Sequence, residues 1–186
     1  SIINTNTFTK DSFRNWLKSG PKVWPSKITI KNEALETKTL TKLSKKLNKR
    51  SHAERITFKF PESTLNLAGL KILLKLHKEE KINLDLSGAK LIGDLSRCDF
   101  SGLNLKKANL TNAILTEANL TNTNLTEANL TNAILTRANL KNATLTKANL
   151  SGADLCMANL YMADLTRVNL TEAKLTQAKL KRTTLS

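Results

Sequence analysis

From Leu105 to Leu185 a leucine stands at every fifth position, 17 in succession. Phe100 and Leu95 extend the register backward, and Leu91 and Leu86 join it after a one-residue slip. Two residues before each leucine the chain places a small side chain: Ala108, Ala113, Ala118, Thr123, Ala128, and so on to Ala173, Ala178 and Thr183. A period of five fits no straight element. On an α-helix five residues advance about 500°, so successive leucines land about 140° apart and wrap the whole cylinder. On a straight strand an odd period sends them to alternate faces, and a coiled coil needs a period of about 3.5. The pattern closes if the chain turns a corner every five residues, with the small residue and the leucine pointing inward and three residues outward. Four such sides make a coil of twenty, and residues 109–128 and 129–148 are identical at 15 of 20 positions. Stacked coils bond like neighbouring strands, roughly 4.8 Å apart. No single repeat buries enough to fold alone, so the array is a solenoid.

The run ANLTNAILTEANLTNTNLTEANL (residues 108–130) carries A-(D/N)-L-x-x units and resembles the pentapeptide-repeat family. The resemblance covers about residues 86–186 and implies an all-β, right-handed quadrilateral β-helix of about five coils. Departures fall on the position before leucine, where Ile114, Ile134, Thr144, Lys174 and Lys179 replace the family's Asp or Asn.

The first 82 residues have a different grammar. Phe13, Trp16 and Leu17 share a helical face that Gly20-Pro21 ends. KITIK (27–31) and ITFKF (56–60) alternate as strands, the second closed by Pro61. Leu35, Leu40, Leu43 and Leu47 recur at near-helical spacing after Asn32, a candidate N-cap. Leu67, Leu70, Leu73 and Leu74 mark a last helix over about 64–79. The expected architecture is therefore a small basic α+β N-terminal domain, residues 1–82, capping a β-helix of residues 83–186. The C-terminal end of the repeats is expected to stay uncapped, so it either marks a truncated chain or pairs with itself as a homodimer.

The charge is +15 over 186 residues, with 18 basic residues before position 86 and 12 after it, against 8 and 7 acidic ones. With 40% apolar residues a real core is expected. Two Cys and two His build neither a disulfide framework nor a usual zinc site. Cys98 takes an inward small-residue slot, Cys156 an outward one, and neither has a His or basic partner in the pattern, which argues against a nucleophile. His52 and His77 fall in different elements and read as structural. Phosphate-loop, HExxH and paired-carboxylate motifs are missing. The expectation is no catalytic residue, no metal and no cofactor.

Binding candidates lie on the outside. Asn109, Asn129, Asn149 and Asn169 form one column and Asn119, Asn139 and Asn159 another, both best read as turn-bonding ladders. Lys107, Glu127, Lys147 and Arg167 form a charged column that pairs with itself on the simplest reading. The apolar outward positions are Ile114 stacked on Ile134, and Met157 and Met162 further along. In KLSKKLNKR (42–50), Lys42, Lys45, Lys46, Lys49 and Arg50 largely avoid the leucine face. This is either a solvated helix face or a contact for anionic lipid or nucleic acid.

A repeat rod offers a long rigid surface and no pocket, which suits protein contacts. The arrangement of a globular segment leading through FPESTLNLAGLKILLKLH and LSGAKLIGDLSRCDFSGLNL into repeats resembles bacterial effectors injected by type III secretion. That resemblance implies a non-enzymatic targeting or docking module acting on host proteins, placed inside a host cell; otherwise the bacterial cytoplasm is expected. The alternative is a DNA- or topoisomerase-associated regulator, as the quinolone-resistance relatives imply. Those resemble DNA in shape and negative charge, and a repeat array of net +5 argues against that role.

Overall fold

The computed structural model describes residues 5–31, 36–50 and 55–186. Asn32, Leu35 and His52 lie outside the described residues. The chain divides into two compact units, Ser1–Asp85 and Leu86–Ser186.

The first unit runs β1 (Thr5–Phe8), α1 (Lys10–Lys18), β2 (Lys27–Ile30), α2 (Thr37–Asn48), β3 (Ile56–Lys59), β4 (Thr64–Leu65), α3 (Leu67–Lys78) and β5 (Ile82–Asp85). Strands β1, β2, β3 and β5 form one sheet in that order, parallel throughout. The expectation of an α+β domain is therefore corrected. A helix lies between each strand and its parallel neighbour, as parallel pairing demands, so this unit is α/β. Strands β1 and β5 were not legible from the local sequence. Four-residue segments such as TNTF and INLD acquire strand character from their neighbours in the sheet.

Each helix is set locally. Thr9 caps α1 with a reciprocal Thr9–Ser12 box, and Phe13 and Leu17 are its buried face. Glu36 occupies the N-cap position of α2, whose buried residues are Thr39, Leu40, Leu43 and Leu47. Asn66 caps α3 by accepting the Gly69 N–H at 3.0 Å. Gly69 permits close packing, because a Cβ there would meet Leu40 Cδ1 at 3.1 Å. On the sheet, Ile28, Ile30, Ile56, Phe58 and Ile82 are buried while Lys27, Thr29, Thr57 and Lys59 are half-exposed. The parallel register sets Lys59 beside Asp85, and the two pair at 2.7 Å. His77 Nδ1 accepts the Leu84 N–H at 3.3 Å, which ties the end of α3 to β5.

In the second unit the bridges step by twenty: Asn109 pairs Asn129 and then Asn149, Ile114 pairs Ile134, and Asn124 pairs Thr144. This is the four-sided coil that the five-residue period requires. Leu105 to Leu160 and every small residue from Ala108 to Ala163 are buried. Thr123, polar in a small-residue slot, donates its hydroxyl to the Phe100 carbonyl at 2.9 Å and so carries no unpaired group into the core. A short strand, β6 (Lys90–Leu91), lies in the first coil. That coil is a residue shorter, since Lys90 bridges Asn109 whereas Asp94 bridges Ile114. Gly93, at φ 85°, stands where the residue is lost.

Candidate interaction surface

From Leu95 onward every corner closes with the same turn hydrogen bond. At one, the Ala113 N–H returns to the Leu110 carbonyl at 3.0 Å across Thr111 and Asn112, and Asn112 has φ 58°. A left-handed third residue is the mark of a type II turn, where Gly or Asn is favoured. Here Arg, Lys, Glu and Met also occupy it: Arg97, Lys107, Glu117 and Met157 all have φ near 60°. The next coil holds them there, since Asn112 N–H donates to Thr131 O at 2.9 Å and Lys107 N–H to Thr126 O at 2.9 Å.

The outward asparagines serve these corners. Asn109, Asn129, Asn149 and Asn169 each accept the N–H two residues on, as do Asn119, Asn139 and Asn159. Asn159 also donates to Asn139 Oδ1 at 3.2 Å. Their side-chain oxygens are thus engaged by the fold itself.

Aspartates fill the same slot with an added charge. Asp154 lies below the usual aspartate range, chiefly through hydrogen bonds from the Cys156 thiol and N–H. Asp164 is lowered chiefly by the Thr166 hydroxyl and N–H, and Asp94 by those of Ser96. The same bond to Asp154 raises the Cys156 thiol, which disfavours the thiolate a nucleophile needs. Cys98 is buried in its small-residue slot. A depressed carboxylate contributes stability that is complete above its unfolded value and lost as pH falls through the folded one. The triple variant Asp94→Asn/Asp154→Asn/Asp164→Asn is therefore expected to lose less stability on acidification below about pH 4 than the native chain. Urea midpoints measured down to about pH 2 check this, and equal slopes would contradict it.

Four corner columns run along the coils. The first holds Arg97, Glu117, Arg137 and Met157. Glu117 pairs with Arg97 at 2.9 Å and with Arg137 at 4.0 Å, and Arg137 Nε reaches Met157 Sδ at 3.4 Å. The next carries Asn142, Met162 and Arg182. The third holds Lys107, Glu127, Lys147 and Arg167, with Lys107 on Glu127 at 3.5 Å. Exposed pairs of this kind are worth roughly 0–1 kcal/mol.

Met157 and Met162 occupy consecutive corners, so they frame one side of a coil, residues 158–161. Tyr161 stands on that side, at a position that Ser101, Thr121, Lys141 and Lys181 hold in the other coils. Lys141 Nζ lies 5.8 Å from its ring, and Arg182 donates to its hydroxyl at 3.3 Å. A depression of about 550 Å³ is lined by Lys141, Asn159, Tyr161, Lys179, Leu180 and Lys181. Met157 is 43% exposed and Met162 49%. From residue 138 onward, no carboxylate stands on this side of the coils.

The structure sorts the sequence candidates. Met157 and Met162 hold the two corners of the side that carries Tyr161, a residue that sequence reasoning passed over. Its signal was available: it is the chain's single tyrosine. Ile114 and Ile134 stack on the adjoining side, Ile114 half-buried and Ile134 39% exposed. Lys107, Lys147 and Arg167 lie on the corner diagonal to Met157, and so outside this patch. In the first unit, Lys42, Lys45, Lys46 and Lys49 line a groove of about 300 Å³ with Leu17 and Lys18. Arg50 stacks its guanidinium 5.5 Å from the Trp24 ring. Among the described residues, no group of His, Cys, Asp and Glu is arranged to hold a metal ion.

A family model described as pentapeptide repeats, in 8 copies, matches residues 94–132, 123–160 and 153–186. No curated protein matches the chain. Among solved structures, it is similar to the pentapeptide repeat protein Rfr23 of the cyanobacterium Cyanothece, at 47% identity over 50% of this chain and 64% of that one, TM-score 0.49. It is also similar to a pentapeptide repeat protein of the Arabidopsis thaliana thylakoid lumen, at 37% identity over 50% and 58%, TM-score 0.32. The chain thus spans less than two thirds of the length of either. A third is QnrB1, a plasmid-mediated fluoroquinolone resistance protein, at 15% identity over 86% and 84%, TM-score 0.28.

Proposed function

We propose that this chain, which belongs to the pentapeptide-repeat family, is a non-enzymatic interaction module that docks a protein segment on the side between the Met157 and Met162 corners. One observation carries the reading. Tyr161 shares one depression with Lys141, Lys179 and Lys181 and takes a hydrogen bond from Arg182, the exposed Met157 and Met162 stand at the two corners of that side, and from residue 138 onward the side carries no carboxylate. Aromatic residues, Met and Arg are the types enriched where proteins meet. The partner segment accordingly carries carboxylates around an apolar anchor. Ile114 and Ile134 extend the same surface across the shared Arg137–Met157 corner. Lys107, Lys147 and Arg167 serve a separate, charge-only contact. The resemblance of the chain's arrangement to injected effectors supports a partner in a host cell.

Met157→Ser/Tyr161→Ala/Met162→Ser is expected to weaken capture of such a partner at least tenfold. Thr111→Ala/Thr131→Ala, on the opposite side of the coils, should leave it unchanged. Affinity capture at high salt from host-cell and bacterial lysates, followed by titration of the captured protein, checks this. Equal loss in both variants would overturn the reading.

A further inference from the structure

We infer that the first unit carries a peripheral docking site for an anionic lipid bilayer, formed by the lysine groove between α1 and α2 and the loop after α1. This site is separate from the side of the repeats assigned to a protein partner. Lys18, Lys42, Lys45, Lys46 and Lys49 converge on one groove, and among the described residues none of them pairs with a carboxylate. The carboxylates of the same helices are spent elsewhere. Asp11 holds Arg14 at 2.8 Å, and Glu36 lies 3.9 Å from both Lys10 and Arg14, toward the N-terminal ends. Helix dipoles account for single cations in the last turns but not for five meeting in one depression, where like charges repel until an anion arrives.

The adjoining loop makes the choice of anion. Val23 is 75% exposed, the most exposed large apolar residue described, and its chain neighbours are Lys22 and Trp24. Arg50, next in sequence to Lys49, stacks on Trp24 and so ties the end of α2 to this loop. Trp24 also packs edge-on against Trp16 at 5.0 Å. With its ring so engaged, Trp24 is poorly placed to stack on a nucleic-acid base, which single-strand binding uses. An exposed aliphatic residue between Lys22 and Trp24, on a loop tied to the end of the lysine-rich helix, suits a bilayer surface. There the apolar group enters the interface and the cations meet the headgroups.

The test is co-sedimentation of the full chain with phosphatidylcholine vesicles and with a phosphatidylcholine–phosphatidylserine mixture. Binding to the mixture alone is expected, falling as salt rises. Lys45→Gln/Lys46→Gln/Lys49→Gln should lower the partition coefficient roughly a hundredfold, at about fivefold per charge. Lys38→Gln/Lys71→Gln/Lys78→Gln removes the same charge elsewhere and should lower it far less. Val23→Ser should lower it about fivefold while leaving the salt dependence intact. Equal binding to both vesicle types, or equal loss in the two lysine variants, would overturn the proposal. So would tighter binding to duplex DNA at matched phosphate concentration, which would assign the groove to nucleic acid.

Discussion

Leu135→Ala is expected to lower the stability of the repeat unit by about 2–5 kcal/mol. Leu135 is fully buried in the leucine column between Leu115 and Leu155. Its N–H donates to Asp154 O at 2.7 Å, and its carbonyl accepts the Ala138 N–H at 2.9 Å. On the other side the Leu115 N–H donates to Ile134 O at 2.7 Å, so both neighbouring coils are pinned, the cavity cannot collapse, and the cost falls toward the upper part of the range. Leu185 is 64% exposed, and Leu185→Ala should change stability by no more than about 0.5 kcal/mol. Denaturant unfolding of both variants checks the pair. A loss under about 1 kcal/mol at Leu135 would contradict the stacked coil.

A second large effect is expected in the small-residue column. Ala138 is fully buried, with Ala118 and Ala158 at the same place in the coils on either side. Ala138→Asp forces a carboxyl into that column without a hydrogen-bond partner, a cost of about 2–7 kcal/mol even when neutral. Burial raises the folded pKa of such a group, so the folded state binds its proton more tightly than the unfolded chain does. The destabilisation is therefore greatest above the raised pKa and shrinks as pH falls through it. Thermal melts of this variant should show a larger deficit near neutral pH than near pH 4. A deficit independent of pH, or none, would place residue 138 outside the core.

The repeat unit was legible because its inward positions obey two demands at once. Leucine and a small residue recur in each side, and only a corner every five residues reconciles them. The corners were less legible. Met157, Arg97 and Glu117 hold φ near 60° where a turn rule asks for Gly or Asn. They are held by hydrogen bonds to a coil twenty residues away, which local sequence does not show. The same distance explains the surface. Met157 and Met162 stood out singly, but Tyr161 joined the candidate surface only when stacking set Lys141 and Lys181 on either side of it. Lys147 and Met157 are ten residues apart, which is two corners, and so the charged column faces away from the methionines. In the first unit, helical periodicity exposed α1, α2 and α3 directly. The parallel sheet was hidden, since strands β1 and β5 depend on partners about twenty or more residues away.

The side of the coil that holds Tyr161 is the proposed docking surface. A photo-reactive phenylalanine analogue placed at position 161, and in a second chain at position 131 on the opposite side, tests it by direct contact. After irradiation in host-cell and in bacterial lysate, position 161 is predicted to cross-link one saturable partner that an excess of native chain displaces, while position 131 cross-links none. Equal yields at both positions, or a product at 131 alone, would contradict the assignment of that side as the docking surface.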